Sequence, residues 1–315
     1  MKAEALSRPP TAEADSAQAR RWGADTRSCM FSYLEIVRPA NLATAVADVL
    51  AGYAVAGGAN PRALAYLAFS GTALYAGGVV LNDFFDRYID GVERPKRPIP
   101  SGRVPATSAA ALGGFLLAAA IGSGFCASVG SGLVATAIAG CVLFYDGWAK
   151  HVPAIGPIAM GLCRGFNLLL GLSANAAAFS QRWFIALLPI VYIAAVTAVS
   201  SGEVKGGSRR TELLAIVLFG AVCCGCMMLG LSPSFQLLWA TPLILLLGYR
   251  VLPALWRSVE APVAANIRAA VKAGVLSIVV LDSAIAAGYA GPWYGAAVLS
   301  MLGIGAILAR TFAVT

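Results

Sequence analysis

Long runs of Leu, Ala, Val, Ile and Gly constrain this chain more than any other feature. They read as spans at roughly 34–57, 62–81, 105–127, 131–146, 154–174, 182–199, 212–231, 235–252, 268–290 and 293–310. Most approach the roughly 20 residues that a helix needs to cross about 30 Å of hydrocarbon. A helix satisfies its backbone donors and acceptors within the segment, as lipid demands. A β-barrel would instead alternate in strands of about ten residues. With 59% hydrophobic and 12% charged residues among 315, the composition excludes a water-soluble globular class. The expected fold class is all-α, a polytopic transmembrane helical bundle of roughly nine or ten helices, the lower count applying if the last run is re-entrant.

The distribution of Lys and Arg tests this division independently, because basic residues accumulate on the cytoplasmic side. Arg20, Arg21, Arg27 and Arg38 precede or open the first span, and Arg87, Arg94, Lys96, Arg97 and Arg103 follow the second. Lys150, then Lys205, Arg209 and Arg210, then Arg257 and Arg268 follow later even-numbered spans, whereas the opposite loops carry little beyond Arg62 and Arg182. The alternation puts the N-terminus and two polar loops, about 82–104 and 200–211, on one cytoplasmic face. The net charge of +8 is thereby topological, and no nucleic-acid partner is needed to account for it. Residues 1–30 are polar and lack the apolar core of a secretory signal. They are expected to form a disordered cytoplasmic tail, and 31–315 a single transmembrane domain in the cytoplasmic membrane, expected to be that of a bacterium. Of seven cysteines, all but Cys29 lie in apolar spans without histidines at metal spacing, as buried thiols do.

Against fifteen carboxylates in the whole chain, Asp83, Asp86, Asp90 and Glu93 fall within eleven positions at the end of the second span. Asn82, Asp86 and Asp90 are spaced i, i+4, i+8, so a continuing helix aligns them in one oxygen-bearing stripe with Asp83 beside it. Carboxylates crowded at a membrane boundary repel one another, and a divalent cation relieves that repulsion. Hard oxygen ligands without His or Cys suit Mg²⁺, which completes its shell with substrate phosphates and water. Directly downstream runs the basic segment from Arg94 through Lys96 and Arg97 to Arg103, stiffened by Pro95, Pro98 and Pro100. Arg94 and Arg97 suit bidentate contact with phosphate oxygens.

The segment Asn82–Arg103 resembles the first signature of the UbiA-type intramembrane prenyltransferase superfamily, an N-D-x-x-D-x-x-x-D stripe followed by R-P-[IL]-P-S-G-R. More loosely, Tyr145-Asp146-Gly147-Trp148-Ala149-Lys150 resembles the superfamily's Y-x-x-x-K element with one extra residue, and Gly161-Leu162-Cys163-Arg164-Gly165-Phe166-Asn167 the segment on the following helix. The resemblance implies a bundle around a central cavity, with Mg²⁺ and a polyprenyl diphosphate held between two acidic motifs and the hydrocarbon tail lying along the helices. Cationic groups beside a departing diphosphate stabilise its developing charge, and a dry cavity shields the allylic cation from water. Tyr145 and Lys150 are expected to approach the diphosphate. Arg164, an arginine inside an apolar span, is expected to face a phosphate or an acid.

The second acidic motif of the superfamily, D-x-x-x-D, should fall in 200–210, where the chain has the single carboxylate Glu203 with Lys205 and Arg209 nearby. Glu203 is the expected metal ligand there, and Lys205 the expected phosphate contact. This departure resembles the divergent EboC-like members more than the quinone-forming enzymes. Two acids lie within spans: Asp48 is expected to orient an acceptor or serve as a catalytic base, and Asp282 to pair with a base such as Lys272. The expected activity is Mg²⁺-dependent transfer of a prenyl group from its diphosphate to a lipophilic or aromatic acceptor. Acceptor-free cyclisation of the same substrate is the alternative, and ion-coupled transport through Asp48, Asp86 and Asp282 a second one.

Overall fold

The computed structural model describes residues 30–203 and 206–310. The tail expected over 1–30 thus lies outside the described residues except for Met30, and Lys205 lies outside them as well. Among the described residues there is no β-strand.

Residues 30–37 are helical. The chain then breaks at Arg38, the one described non-glycine residue with positive φ (52°), and restarts with Pro39 at the first helical position. Proline fits there because its missing N–H would have no partner in the helix. The helices that follow are α1 (Pro39–Val55), α2 (Pro61–Phe85), α3 (Arg87–Glu93), α4 (Ala106–Ala127), α5 (Val129–Gly147) and α6 (Ile155–Leu172). After them come α7 (Ala176–Ser200), α8 (Arg209–Leu231), α9 (Leu237–Glu260), α10 (Ala264–Ala290) and α11 (Pro292–Leu308). Eight of these, α2 and α4–α10, are long and apolar enough to cross a membrane. With the 17-residue α1 and α11, the described helices match the ten runs read from the sequence. The protein is therefore an integral membrane protein by the length and composition of its helices.

Two features depart from the sequence reading. The first run does not begin as one helix, since the break at Arg38 separates its leading turn from α1. The polar stretch 82–104 is largely not open loop. Asp86 closes α2 while its amide still bonds to the Asn82 carbonyl at 2.9 Å, the Asp90 amide bonds to that of Asp86 at 2.8 Å, and the Arg94 amide to that of Asp90 at 2.8 Å. The helical path thus persists through α3. The following turns are pinned by Ile99 and Val104, which bury with Ile36, Val80 and Ala109, and by Gly102 at φ 76°, where a side chain would be strained.

Helix α1 lies at the centre, packed on α2, α6, α10 and α11. Lipid provides no hydrophobic drive between helices, so they associate where small residues permit close contact. A Cβ on Gly52 of α1 would collide with the Leu168 carbonyl oxygen of α6, and one on Gly171 of α6 would collide with the Val49 carbonyl oxygen of α1. The same helix α6 turns Gly161 and Gly165 to α7 at Ile190. With both flanks of α6 engaged by glycine contacts, the face carrying Met160, Cys163, Arg164 and Asn167 is left to line an interior cavity.

Candidate active site

A cavity of about 220 Å³ opens among α2, α5 and α6. Its walls follow helical periodicity. Helix α2 contributes Gly71, Leu74, Tyr75, Gly78, Val79 and Asn82, and α5 contributes Ile138, Val142, Tyr145 and Asp146. From Gly71 to Asn82 the α2 face runs about 16 Å at 1.5 Å per residue. The cavity therefore has a polar mouth, at the end where the basic loops gather, apolar walls, and a second polar region at its floor.

At the mouth every acid of the stripe meets a base. Asp83, buried, is bonded by Arg38 Nη2 at 2.6 Å and by Arg97 Nη1 at 3.3 Å. The same Arg97 atom reaches Asp90 Oδ2 at 2.6 Å. Lys150 Nζ lies 2.7 Å from Asp86 Oδ1. The expected stripe is real, but its members point to different bases, so that Asp86 faces α5 while Asp83 and Asp90 share Arg97. Among the described residues no three acids, histidines or cysteines gather closely enough to hold a metal between them. The donor set of Asn82, Asp83, Asp86 and Asp90 nevertheless fits Mg²⁺ in kind, being all hard oxygen. One oxygen of each aspartate, Asp83 Oδ1, Asp86 Oδ1 and Asp90 Oδ2, is engaged by a cation that a metal taking that oxygen would have to displace.

The extra residue between Tyr145 and Lys150 is absorbed at the end of α5. The helix stops at Trp148 (φ −148°, ψ −52°), and the 3₁₀ turn Ala149–His151 swings Lys150 back toward Asp86. Tyr145 lines the cavity. Its neighbour Asp146, absent from the sequence-derived site, is buried and accepts a hydrogen bond from Asn82 Nδ2 at 2.8 Å. With that N–H spent, the carbonyl oxygen of Asn82 is the atom left for a ligand. Asp146 was legible as position i+4 from Val142 on the cavity face of α5. Arg38 was read only as a topological charge, and its role at Asp83 depends on the backbone break beside it.

Arg94 does not join the acid stripe. It lies near Glu203, where Arg94 and Arg268 oppose the tendency of burial to raise the glutamate's pKa above its ordinary value of 4.5. Arg268 Nη1 also donates to the Glu203 carbonyl at 3.0 Å. The two polar segments are thus within electrostatic reach of each other at Arg94 and Glu203, and Arg103 closes the first of them onto Glu35 at 2.6 Å.

At the floor Arg164 stands over the Tyr75 ring, 5.4 Å from its centroid, and pairs with Asp48 Oδ2 at 3.1 Å. Asn167, one turn along α6, donates to Asp48 Oδ2 at 3.0 Å and to the Ala45 carbonyl at 2.9 Å. Arg164 thus meets the acid partner expected of an intramembrane arginine. Asp48 is fully buried, and Arg164 and Asn167 stand between it and the cavity. The expectation for Asp282 is corrected. Its charged surroundings are Asp48 and Arg164, because Lys272 lies ten residues away on α10, about 15 Å by helical rise.

Residues 45–272 match the model of the UbiA prenyltransferase family. The chain is 35% identical over 176 residues to a digeranylgeranylglyceryl phosphate synthase of Ignicoccus hospitalis, covering 56% of this chain and 58% of that protein. It is likewise 35% identical over 162 residues to the synthase of the same name from Methanopyrus kandleri, covering 50% and 58%. The chain therefore spans less than two thirds of the length of these archaeal relatives. Its fold resembles a solved structure reported for digeranylgeranylglyceryl phosphate synthase, with TM-score 0.65 and 20% identity over 83% of this chain and 98% of that one. It also resembles a UbiA homologue from Archaeoglobus fulgidus bound to DMAPP and Mg²⁺, with TM-score 0.62 and 17% identity over 85% and 99%. The family match extends over more than two thirds of the sequence and includes both the acid stripe and the cavity helices: the chain belongs to the UbiA prenyltransferase family.

Proposed function

We propose that this protein is a Mg²⁺-dependent intramembrane prenyltransferase that ionises a polyprenyl diphosphate and passes the prenyl group to a lipophilic or aromatic acceptor, with its polar loops on the cytoplasmic face. The observation that carries this reading is the convergence of acids and bases at the mouth of an apolar-walled cavity, where Asp83, Asp86 and Asp90 meet Arg38, Arg97 and Lys150. The names of the relatives favour a lipophilic acceptor of the geranylgeranylglyceryl phosphate kind.

Asn82, Asp83, Asp86 and Asp90 would hold the metal. Bound there with the diphosphate, Mg²⁺ supplies Lewis-acid stabilisation of negative charge on the leaving oxygens. Arg38, Arg97 and Lys150 exchange carboxylate partners for phosphate oxygens, so the positive charge is in place before the C–O bond breaks. Arg94, with Glu203 beside it, completes the rim as a further phosphate contact. Leu74, Ile138 and Val142 give the allylic carbon apolar surroundings that exclude water. Tyr145 borders the same space next to Asp146 and sets one wall against the reacting end of the substrate.

The test is a panel of geranyl, farnesyl and geranylgeranyl diphosphates, with and without Mg²⁺ and a lipophilic alcohol or phenol acceptor, on the wild type and Asp86→Ala. The expected result is Mg²⁺-dependent prenylated product that Asp86→Ala loses. A cyclic hydrocarbon formed without acceptor would favour cyclisation instead. Full activity in Asp86→Ala would overturn the reading.

A further inference from the structure

Beneath the cavity floor lie two carboxyl groups that the chemistry above does not use together. Asp48 on α1 and Asp282 on α10 are both fully buried and lie within hydrogen-bond reach of each other. Asp48 Oδ2 takes the contacts from Arg164 and Asn167. Asp48 Oδ1 and both oxygens of Asp282 find no donor. One guanidinium thus faces two acids. The other polar groups nearby are engaged elsewhere: the Tyr192 hydroxyl donates to the Gly274 carbonyl at 2.8 Å, and Arg250 Nε donates to Ser277 Oγ at 3.1 Å.

A second carboxylate here would sit beside a like charge, away from water, with no cation of its own. Two acids sharing such a site do not both ionise. A single proton resolves the arrangement, since it turns two acceptor-only groups into a donor and an acceptor and brings Arg164, Asp48 and Asp282 to zero net charge. We propose that Asp48 and Asp282 share one proton, and that this intramembrane carboxyl pair is a positioning element that holds Arg164 at the cavity floor with its charge compensated. The uncompensated positive charge of the cavity then sits at the mouth, beside the diphosphate site. A fully ionised pair would make the floor negative, and a fully protonated one would leave Arg164 unpaired. Asp282 touches no part of the cavity and acts through Asp48 and Arg164.

The proposal rests on the prenyl-transfer reading only in its activity measurement, and its first test needs no substrate. Infrared spectra of the protein in nanodiscs at neutral pH, with isotope-labelled aspartate, should show a protonated carboxyl C=O band that shifts in D₂O and is absent from Asp282→Asn. The side-chain amide introduced by Asp282→Asn can donate to Asp48 as the protonated acid does, whereas the methyl of Asp282→Ala cannot. Prenyl transfer by Asp282→Asn should therefore exceed that of Asp282→Ala by about tenfold, with the difference in kcat rather than in KM for the diphosphate. The proposal is overturned if the wild type lacks the band, if the band survives in Asp282→Asn, if Na⁺ removes it by taking the proton's place, or if the Asn and Ala variants are equally impaired.

Discussion

Arg97 offers the sharpest test of how acids and bases share the mouth of the cavity. Its Nη1 contacts Asp90 at 2.6 Å and Asp83 at 3.3 Å, so a metal approaching these carboxylates competes with a guanidinium already in place. A hydrogen bond involving a charged group contributes about 1.5–3 kcal/mol. That figure is reduced here because Arg97 keeps 16% of its side-chain surface exposed and Arg38 stays on Asp83 after Arg97 is removed. About 1–2 kcal/mol of competition remains, or about 5- to 30-fold in binding. Arg97→Gln should therefore tighten Mg²⁺ binding in the absence of diphosphate by that factor. It should weaken diphosphate binding in the presence of Mg²⁺, because the same guanidinium is then missing from the phosphate oxygens. Calorimetric titration in nanodiscs, or Mn²⁺ titration followed by electron paramagnetic resonance, measures the first effect, and product kinetics the second. If Mg²⁺ affinity is unchanged or falls in a folded Arg97→Gln protein, the guanidinium and the metal do not compete for these carboxylates.

Three further outcomes are expected. Asp146→Leu takes the acceptor from the part-buried Asn82 amide at the cavity wall, a loss of about 1–2 kcal/mol; kcat/KM should drop about 5- to 30-fold, while Asp146→Asn, whose carbonyl still accepts from Asn82, should lose less. Gly52→Ala forces a methyl against the Leu168 carbonyl and should cost about 1–3 kcal/mol of stability, seen as a lower melting temperature in detergent, whereas Gly140→Ala, with open space around it, should be neutral or mildly stabilising. For Glu203, burial favours the neutral acid and raises the folded-state pKa above 4.5, so its ionisation costs stability that sets in as pH rises from 4.5 through the folded-state value and is complete above it. Glu203→Gln should accordingly melt higher than the wild type at neutral pH, with the gap closing below pH 4.5, and a gap that widened on acidification would contradict this assignment.

The spans were legible because lipid leaves a chain few choices. A run of about 20 apolar residues must satisfy its own backbone, and only a helix does so locally. For the same reason the Asn82, Asp86, Asp90 stripe could be read from spacing alone: helical periodicity is local, and the Asn82, Asp86, Asp90 and Arg94 backbone carries it past the end of α2. The amino-acid order also determined that acids and bases would be neighbours at one membrane face, since positive charge sorts to that face irrespective of packing. Which base meets which acid was beyond it. Arg38 reaches Asp83 across 45 residues and Asn82 reaches Asp146 across 64, through a backbone break and a helix crossing that no local pattern encodes. Asp282 is the clearest case. The sequence offered Lys272 as a partner, although ten residues away on the same helix, but the close glycine contacts between α1 and α6 and the packing of α10 on α1 set it beside Asp48 and Arg164. In a medium without water to screen or solvate them, buried charges are matched by whatever tertiary packing places within reach, and that pairing is a property of the assembled bundle.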